Sequence, residues 1–339
     1  MAARSTRHAT LHEVAREAGA SKTSVSRYFG GERERLSPPL QQRIDEAARK
    51  LGYHPNQMAR GLKGGRSRLI GMLVADIRNP FSVAVMHGVE QACHEHGFSL
   101  LVCNTDNDRH QESAHLALLA SYRVEGLVIN ATGSPGGALQ ALIDQGTPLV
   151  LLDREVDGVA ADVVGLDNPK AIDMALAHLA ERGYGELLYV TEPPEEASSR
   201  QHRMARFQAR LDDYGLLGES LSLPLKGSTA ALHDAIAAFL SRPGPAPKAL
   251  LCANGKISLA VTRTLQTLGA RLGETGLMGI DELDWCELVT PGITTLAQPT
   301  EALGRAAVEC LMQHHRAQPA PPRHLRYQPV LIPRGSTQR

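Results

Sequence analysis

The side chains of Lys22, Thr23 and Arg27 have types and a spacing suited to binding DNA. Each can donate hydrogen bonds or form an ion pair, and a helix over this stretch would expose all three. Such a helix fits the DNA major groove, where side chains contact base edges. We therefore expect these three residues to face DNA, with Ser21 and Ser26 as further DNA-binding candidates.

The elements that would position these side chains are two short helices over residues 10–29. Thr10 and Glu13 have the spacing of a capping box, which marks the start of the first helix. Gly19 permits a tight turn, and Ser21 is a candidate N-cap for the second helix. The pattern is typical of a helix-turn-helix, although an ordinary three-helix bundle is the alternative. A third helix is predicted to start at Ser37.

Charge is distributed unevenly along this neutral chain. It has 36 Lys and Arg against 36 Asp and Glu in total. Residues 1–68 carry 14 Lys and Arg but 6 Asp and Glu, so the N-terminal segment is basic and the rest is acidic. Phosphate binding favours a basic domain, whereas an acidic body is repelled by DNA. A basic run alone is more often a solvated face, but here it coincides with the helix-turn-helix.

Residues 55–66 predict a short hinge helix, since Pro55 favours a helix start and Gly64 a stop. About two turns of helix are not stable alone in water, so this segment would need a partner helix and DNA. An apolar side chain presented to the minor groove can act as a wedge between base steps. A flexible linker is the alternative. The DNA-binding candidates here are Asn56, Ala59 and Leu62.

The remaining chain alternates short apolar runs with amphipathic segments, which predicts parallel sheets covered by helices on both faces. About 270 residues exceed a single core, so two α/β domains are expected. Ligands of such sheets bind beyond the carboxyl ends of the strands. Polar or aromatic residues that follow these strands are the effector-site candidates: Asn79, Phe81, Asp153, Arg154, Ser199, Arg200, Arg203, Asn254, Asp281 and Trp285.

The whole chain resembles the lactose-repressor (LacI/GalR) family of transcription regulators. The motifs that carry the resemblance are TLHEVAREAGASKTSVSRYF, GYHPNQMARGLKGGRS, LIGMLVADIRNPF, CANGKISLA and GIDELDWCELVTPGITTLAQP. The resemblance implies that Lys22, Thr23 and Arg27 read bases, and that Leu62 inserts at the operator centre. It also implies that Arg203 binds the effector, with Asn254 and Asp281 as polar contacts.

The fold implied by the resemblance is an all-α helix-turn-helix head plus an α/β body of two doubly wound, parallel-sheet lobes, similar to periplasmic binding proteins. The expected domains are a DNA-binding domain over 1–54, a hinge helix and linker over 55–66, and an effector-binding and dimerisation body over 67–336. The N-lobe would take 67–166 and 295–323, and the C-lobe 167–294 and 324–336. The chain would cross between lobes near Leu166–Asn168, Pro291–Thr295 and Pro322–Tyr327.

The expected partners are a palindromic operator in double-stranded DNA, a second copy of the chain and a small-molecule effector. Arg154, Arg200 and Arg203 near one cleft favour an anionic effector, because guanidinium groups pair with carboxylate or phosphate. The segment DELDWCELVTPGITTLAQP resembles regulators of the gluconate and ketogluconate type, so a sugar acid such as 2-ketogluconate is predicted to release the repressor from DNA. A neutral sugar or nucleoside remains the alternative, with some of these arginines in surface ion pairs.

Other function classes find less support in the sequence. The sequence does not place a nucleophile, a base and an orienting group at the spacing of a recognisable catalytic site, so an enzyme is not expected. A transport protein that binds sugars would suit the body but not the basic head. Five scattered cysteines lack the spacing of a disulfide framework or zinc site, and neither a metal nor a cofactor is expected. No signal peptide or membrane span is evident, which favours the cytoplasm.

Overall fold

The computed structural model describes residues 9–54, 67–133, 136–316 and 321–339. Its contacts divide the chain into two compact units, Met1–Ser67 and Arg68–Arg339. We call the first unit the head and the second the body, and describe each by itself.

Over residues 9–54, which the structure describes, the head has three α-helices: α1 (Leu11–Glu17), α2 (Lys22–Gly30) and α3 (Pro38–Lys50). The predicted capping box is present, since the Thr10 Oγ1 accepts from the Glu13 N–H and the Glu13 carboxylate accepts from the Thr10 N–H. Gly19 has φ +57°, a left-handed conformation that permits the turn before α2.

A small hydrophobic core holds the three helices together. Val14 from α1, Val25 from α2 and Ile44 from α3 are fully buried. The Tyr28 hydroxyl adds a hydrogen bond of 3.0 Å to Asp45 Oδ1, which ties α2 to α3. The inward side of α2 is thereby fixed, and its opposite side faces solvent.

The body alternates strands and helices over most of its length. In chain order these are β1 (Leu69–Val74), α4 (Pro80–Glu95), β2 (Ser99–Asn104), α5 (Arg109–Ser121), β3 (Gly126–Ile129), α6 (Gly136–Asp144), β4 (Leu149–Leu152), β5 (Asp162–Leu166), α7 (Asn168–Glu181), β6 (Glu186–Thr191), α8 (Ser198–Arg210), β7 (Leu217–Ser222), α9 (Thr229–Ser241), β8 (Lys248–Cys252), α10 (Gly255–Thr267), β9 (Gly276–Ile280), α11 (Trp285–Leu288), β10 (Thr294–Ala297), α12 (Thr300–Arg316), β11 (His324–Tyr327) and β12 (Val330–Ile332).

These strands form two sheets with matching topology, which define the N-lobe and the C-lobe. The N-lobe sheet has the order β11-β5-β4-β3-β1-β2 and the C-lobe sheet β12-β10-β9-β8-β6-β7. Every neighbouring pair is parallel except β10 with β12. Both lobes therefore have the doubly wound order that leaves a topological switch point between their first and third strands. The predicted fold class is confirmed.

Alternating side chains of each strand enter separate cores on the two faces of the sheet. In β1, Ile70 and Met72 join the core beneath α4 and α12, whereas Leu73 joins the core beneath α5 and α6. Helices α4 and α12 pack very closely, because a Cβ on Gly304 would lie 2.3 Å from the Val85 carbonyl oxygen. Glycine is required there by the space between the two helices.

The lobe boundaries predicted from the sequence are wrong at two of the three crossings. Strand β10 pairs with β9 in the C-lobe, so the second crossing follows Ala297 rather than lying at Pro291–Thr295. Strand β11 pairs with β5 in the N-lobe, so the third crossing lies between Tyr327 and Val330. The apolar pattern of residues 324–332 does not reveal that two adjacent strands join different sheets.

No helix in the described part of the chain is both long enough and apolar enough to cross a membrane.

Candidate functional site

The outer surface of α2 carries the predicted base-reading side chains. Lys22, Thr23 and Arg27 are all exposed, while Val25 and Tyr28 on the other side are buried. Lys22 and Thr23 occupy the first turn of the helix, and Arg27 lies one turn further along. This is the arrangement by which a recognition helix presents its N-terminal residues to a major groove.

The two candidate serines of α2 have different surroundings. The Ser21 side chain is the N-cap of α2, and its Oγ accepts from the Ser24 N–H at 3.0 Å. Ser26 is half-buried beside the exposed face. Ser21 therefore has a structural role whether or not it also contacts DNA. The predicted hinge residues Asn56, Ala59 and Leu62 lie outside the described residues.

In the body, the carboxyl ends of both sheets face a common cleft. Nine of the ten predicted effector residues line it: Asn79, Phe81, Asp153, Arg154, Ser199, Arg200, Arg203, Asn254 and Asp281. Eight further residues line the cleft that were not among the candidates: Ala75, Asp76, Ser82, Asn107, Asn130, Glu192, Lys256 and Gln298. The free volume between these side chains is about 50 Å³.

The tenth predicted residue, Trp285, does not line the cleft. It is half-buried and packs against the core formed by α9 and α10. Trp285 begins the short helix α11, whose Cys286 is buried in the same core. The position of Trp285 after a strand end was correct, but the direction of its side chain depends on a turn that the sequence does not reveal.

Arg203 is the most deeply buried cation of the cleft, with 4% of its surface exposed. Its Nε donates to Asn168 Oδ1 and its Nη1 to the Ala253 carbonyl oxygen, both at 2.6 Å. Arg154 also donates to a neutral acceptor, the Ala131 carbonyl oxygen at 2.7 Å. Among the described residues, neither guanidinium group has a salt bridge to a carboxylate.

Arg200 has the opposite character, since it is held in ion pairs. Its Nη2 lies 3.1 Å from Glu192 Oε2 and its Nη1 lies 3.1 Å from Glu196 Oε2. Asn254 Nδ2 donates to the same Glu192 oxygen at 2.9 Å. The alternative expectation was that some of these arginines form surface ion pairs. Arg200 is in ion pairs, but its side chain is only 11% exposed, and Arg154 and Arg203 are in none among the described residues.

Asp281 lies at the base of the cleft and accepts two hydrogen bonds. The Gly255 N–H donates to its Oδ2 at 2.8 Å, and Gln298 Nε2 donates to its Oδ1 at 2.6 Å. Burial raises the pKa of the Asp281 carboxyl, although nearby Arg203 opposes this effect. The negative charge of this group is therefore disfavoured by its surroundings.

Two buried polar atoms in the cleft lack a hydrogen-bond partner among the described residues. They are Nε of Arg154, a donor, and Oε1 of Gln298, an acceptor. Buried polar atoms are nearly always paired in folded proteins, and exceptions concentrate at functional sites. A bound molecule that carried both a hydrogen-bond acceptor and a donor would pair with these two atoms.

Several of the missed residues carried a signal in the sequence. Asp76 follows β1, Asn130 follows β3 and Glu192 follows β6, as the strand-end rule requires. Gln298 follows the rule as well, since it comes directly after β10, whereas Lys256 on the first turn of α10 carried no such signal.

Comparison with known proteins identifies the family. Residues 10–56 match bacterial regulatory proteins of the lacI family, and residues 67–331 match the periplasmic binding proteins and sugar binding domain of the LacI family. The chain belongs to the LacI family. It is therefore a DNA-binding transcriptional regulator, and the prediction made from its motifs is confirmed.

Relatives of this LacI-family chain match it over nearly its full length. It is 51% identical to the HTH-type transcriptional regulator PtxS of Pseudomonas aeruginosa over 330 residues, which cover 97% of this chain and 95% of that protein. It is 36% identical to the HTH-type transcriptional regulator KdgR of Bacillus subtilis, over 99% of this chain and 100% of that one.

Solved structures show the same fold. The lac repressor dimer bound to operator and the anti-inducer ONPF superposes with a TM-score of 0.84 at 20% identity, over 98% of this chain and 100% of that one. A LacI family transcriptional regulator from Enterococcus faecium with bound ribose has a TM-score of 0.68 at 26% identity, over 80% of this chain and 98% of that one.

Proposed function

We propose that this regulator is a repressor that binds a near-palindromic operator as a dimer and is released by a sugar acid such as 2-ketogluconate. The observation that carries the choice of effector is the pair of cleft arginines, Arg154 and Arg203, that donate only to neutral acceptors. A buried cation without a counter-ion is costly, and a carboxylate ligand would supply one.

The rest of the cleft suits the hydroxyl groups of a sugar acid. Asn254, Asp281 and the unpaired Gln298 Oε1 offer amide and carboxylate oxygens, which accept hydrogen bonds from hydroxyls. A neutral sugar would satisfy the hydroxyl contacts but would leave both guanidinium groups without a salt bridge.

On the DNA, each α2 would read half of the operator in a major groove, because a two-fold symmetric dimer matches a palindrome. Leu62 would insert at the operator centre, with Asn56 and Ala59 on the same hinge. Binding of the effector would shift operator affinity only through its different affinities for the DNA-bound and free states. We place this function in the cytoplasm and assign no catalytic role to the chain.

Two measurements test the proposal. Titration calorimetry would compare gluconate and 2-ketogluconate with neutral sugars of matched size. We expect tight binding of at least one acid and weaker binding of the neutral sugars. A gel-shift assay on palindromic operator DNA should then show release of the protein by the same acid. Tight binding of a neutral sugar, together with no response to either acid, would contradict the choice of effector.

A further inference from the structure

One ion pair joins the two lobes across the cleft in the described part of the chain. Lys256 Nζ, on the first turn of α10 in the C-lobe, lies 3.0 Å from Asp76 Oδ2, which follows β1 in the N-lobe. Among the described residues, the other side-chain hydrogen bonds across the cleft come from serines. Ser199 Oγ donates to Asp153 Oδ2, and Ser198 Oγ accepts from the Glu155 N–H. The Lys256–Asp76 pair is therefore the ionic link between the lobes.

Each partner of this pair has a second counter-ion within its own lobe. Asp76 Oδ1 accepts from the N–H and the Nε of Arg78, both at 3.0 Å. Lys256 Nζ lies 3.9 Å from Glu192 Oε1 on the C-lobe side. If the lobes separate, neither Asp76 nor Lys256 is left as an isolated charge. The link can break without the large penalty of stranding a buried ion.

The two partners also differ in their access to solvent. The side chain of Asp76 is 8% exposed, and that of Lys256 is 30% exposed. Burial by itself would raise the pKa of Asp76, but hydrogen bonds from Arg78 and Lys256 hold it below its usual value. Asp76 is therefore a fixed, ionised anchor, and Lys256 is the accessible partner that can leave it.

The size of the cleft indicates that it must widen before an effector can enter. About 50 Å³ of free volume is far below the roughly 300 Å³ at which ligand pockets usually begin. A six-carbon sugar acid can enter only if the lobes separate or the lining side chains move. Separation of the lobes requires Lys256 to leave Asp76.

We propose that Lys256 and Asp76 are positioning residues that clamp the two lobes together around the effector. Closure of the clamp lowers the free energy of the closed cleft, so it raises effector affinity without a contact to the effector itself. The identity of the effector rests on the proposed function, but the clamp does not.

A double-mutant cycle tests whether the two residues act as one unit. The variants Lys256→Met, Asp76→Asn and their combination would be titrated with 2-ketogluconate by calorimetry. We expect each single variant to lose on the order of tenfold in affinity, in the usual range of coupling between sites. The double variant should lose no more than the weaker-binding single variant, because both changes remove the same contact. If the affinity loss of the double variant equals the product of the two single losses, the residues act on effector binding independently, and the clamp is wrong.

Two matched variants control this cycle. Lys256→Arg keeps the charge and should retain affinity within about threefold, since an arginine can still pair with Asp76. Lys226→Met makes the same substitution as Lys256→Met on an exposed part of the C-lobe outside the cleft and should have no effect. A loss of affinity in Lys226→Met as large as that in Lys256→Met would contradict the proposal.

A distance measurement tests the clamp without any effector. All five native cysteines are buried, so spin labels can be directed to His110→Cys and Ser222→Cys. These exposed sites lie beyond β2 and at the end of β7, the edge strands farthest from the crossings. We expect Lys256→Met to lengthen or broaden the distance distribution and Lys256→Arg to leave it unchanged. An unchanged distribution in Lys256→Met would overturn the clamp. Failure of the proposed function would instead appear as an absence of acid binding by the unaltered protein.

Discussion

The head and the cleft use charged side chains in opposite ways. Lys22 and Arg27 on α2 extend into solvent, whereas Arg203 in the cleft is 4% exposed and held by two hydrogen bonds. A surface that binds DNA gains from accessible charges, because the phosphates are neutralised when the protein docks. A cleft that selects a small molecule gains from charges fixed before binding, because less side-chain freedom is lost on binding.

The two regions also differ in the effect of removing a charged side chain. An exposed arginine can be removed without unfolding the head, because water replaces its contacts. A buried arginine cannot be removed without leaving unpaired acceptors, here Asn168 and the Ala253 carbonyl. We therefore expect substitutions in the cleft to have larger effects than substitutions on α2.

Arg203→Met should have the largest effect on function. Loss of a buried, hydrogen-bonded charge typically costs enough to reduce effector affinity about a hundredfold or more. The control is Arg206→Met on the same helix, because Arg206 binds Asp173 outside the cleft. Calorimetry with the acid effector measures both variants. If the two variants bind the effector with equal affinity, Arg203 contributes no more to effector binding than Arg206 does, and the prediction is wrong.

Arg27→Ala should have the next largest effect, on the binding of operator DNA rather than of the effector. Loss of one base contact costs about 1–3 kcal/mol of specific binding and relaxes sequence preference at one position. Arg49→Ala is the control, since Arg49 is exposed on α3 and pairs with Asp45. Fluorescence anisotropy with operator and unrelated DNA separates the two kinds of binding. An equal loss on both DNAs would mean that Arg27 contacts phosphate rather than bases.

The same glycine-to-alanine change should have opposite effects in the two regions. A Cβ on Gly255 would lie 2.6 Å from Leu283 Cδ1 and 3.3 Å from Asp281 Cβ, so Gly255→Ala should destabilise the body by about 1–3 kcal/mol. Gly30 at the end of α2 has no atom within 4 Å of such a Cβ, so Gly30→Ala should be neutral or slightly stabilising. Calorimetric unfolding checks both. Destabilisation by Gly30→Ala would show that a side chain at the end of α2 meets other atoms of the protein.

Thr10→Ala should have the smallest effect, confined to the head. It removes the side-chain half of the capping box and should lower the stability of the head by about 1 kcal/mol. Thr10→Ser keeps the hydroxyl and should behave like the unaltered protein. Hydrogen exchange of the α1 amides measures the change. Faster exchange in the body would show that the two units are more strongly coupled than their separate cores suggest.

The sequence alone determined the features that depend on near neighbours. The capping box at Thr10, the cap at Ser21 and the exposed face of α2 follow from residues within one or two helical turns. The apolar runs predicted strands, and the residues after them predicted most of the cleft, because carboxyl ends of parallel strands meet at one edge of a sheet.

The tertiary structure alone decided which groups are paired. Lys256 and Asp76 are 180 positions apart in the chain, and they meet only because the two switch points face one cleft. Arg200 is held by Glu192 and Glu196, whereas Arg203 three residues later has no such partner among the described residues. Adjacent β11 and β12 join different sheets. Burial and ion pairing depend on distances between elements, and those distances are set by the packing of the whole body rather than by local sequence.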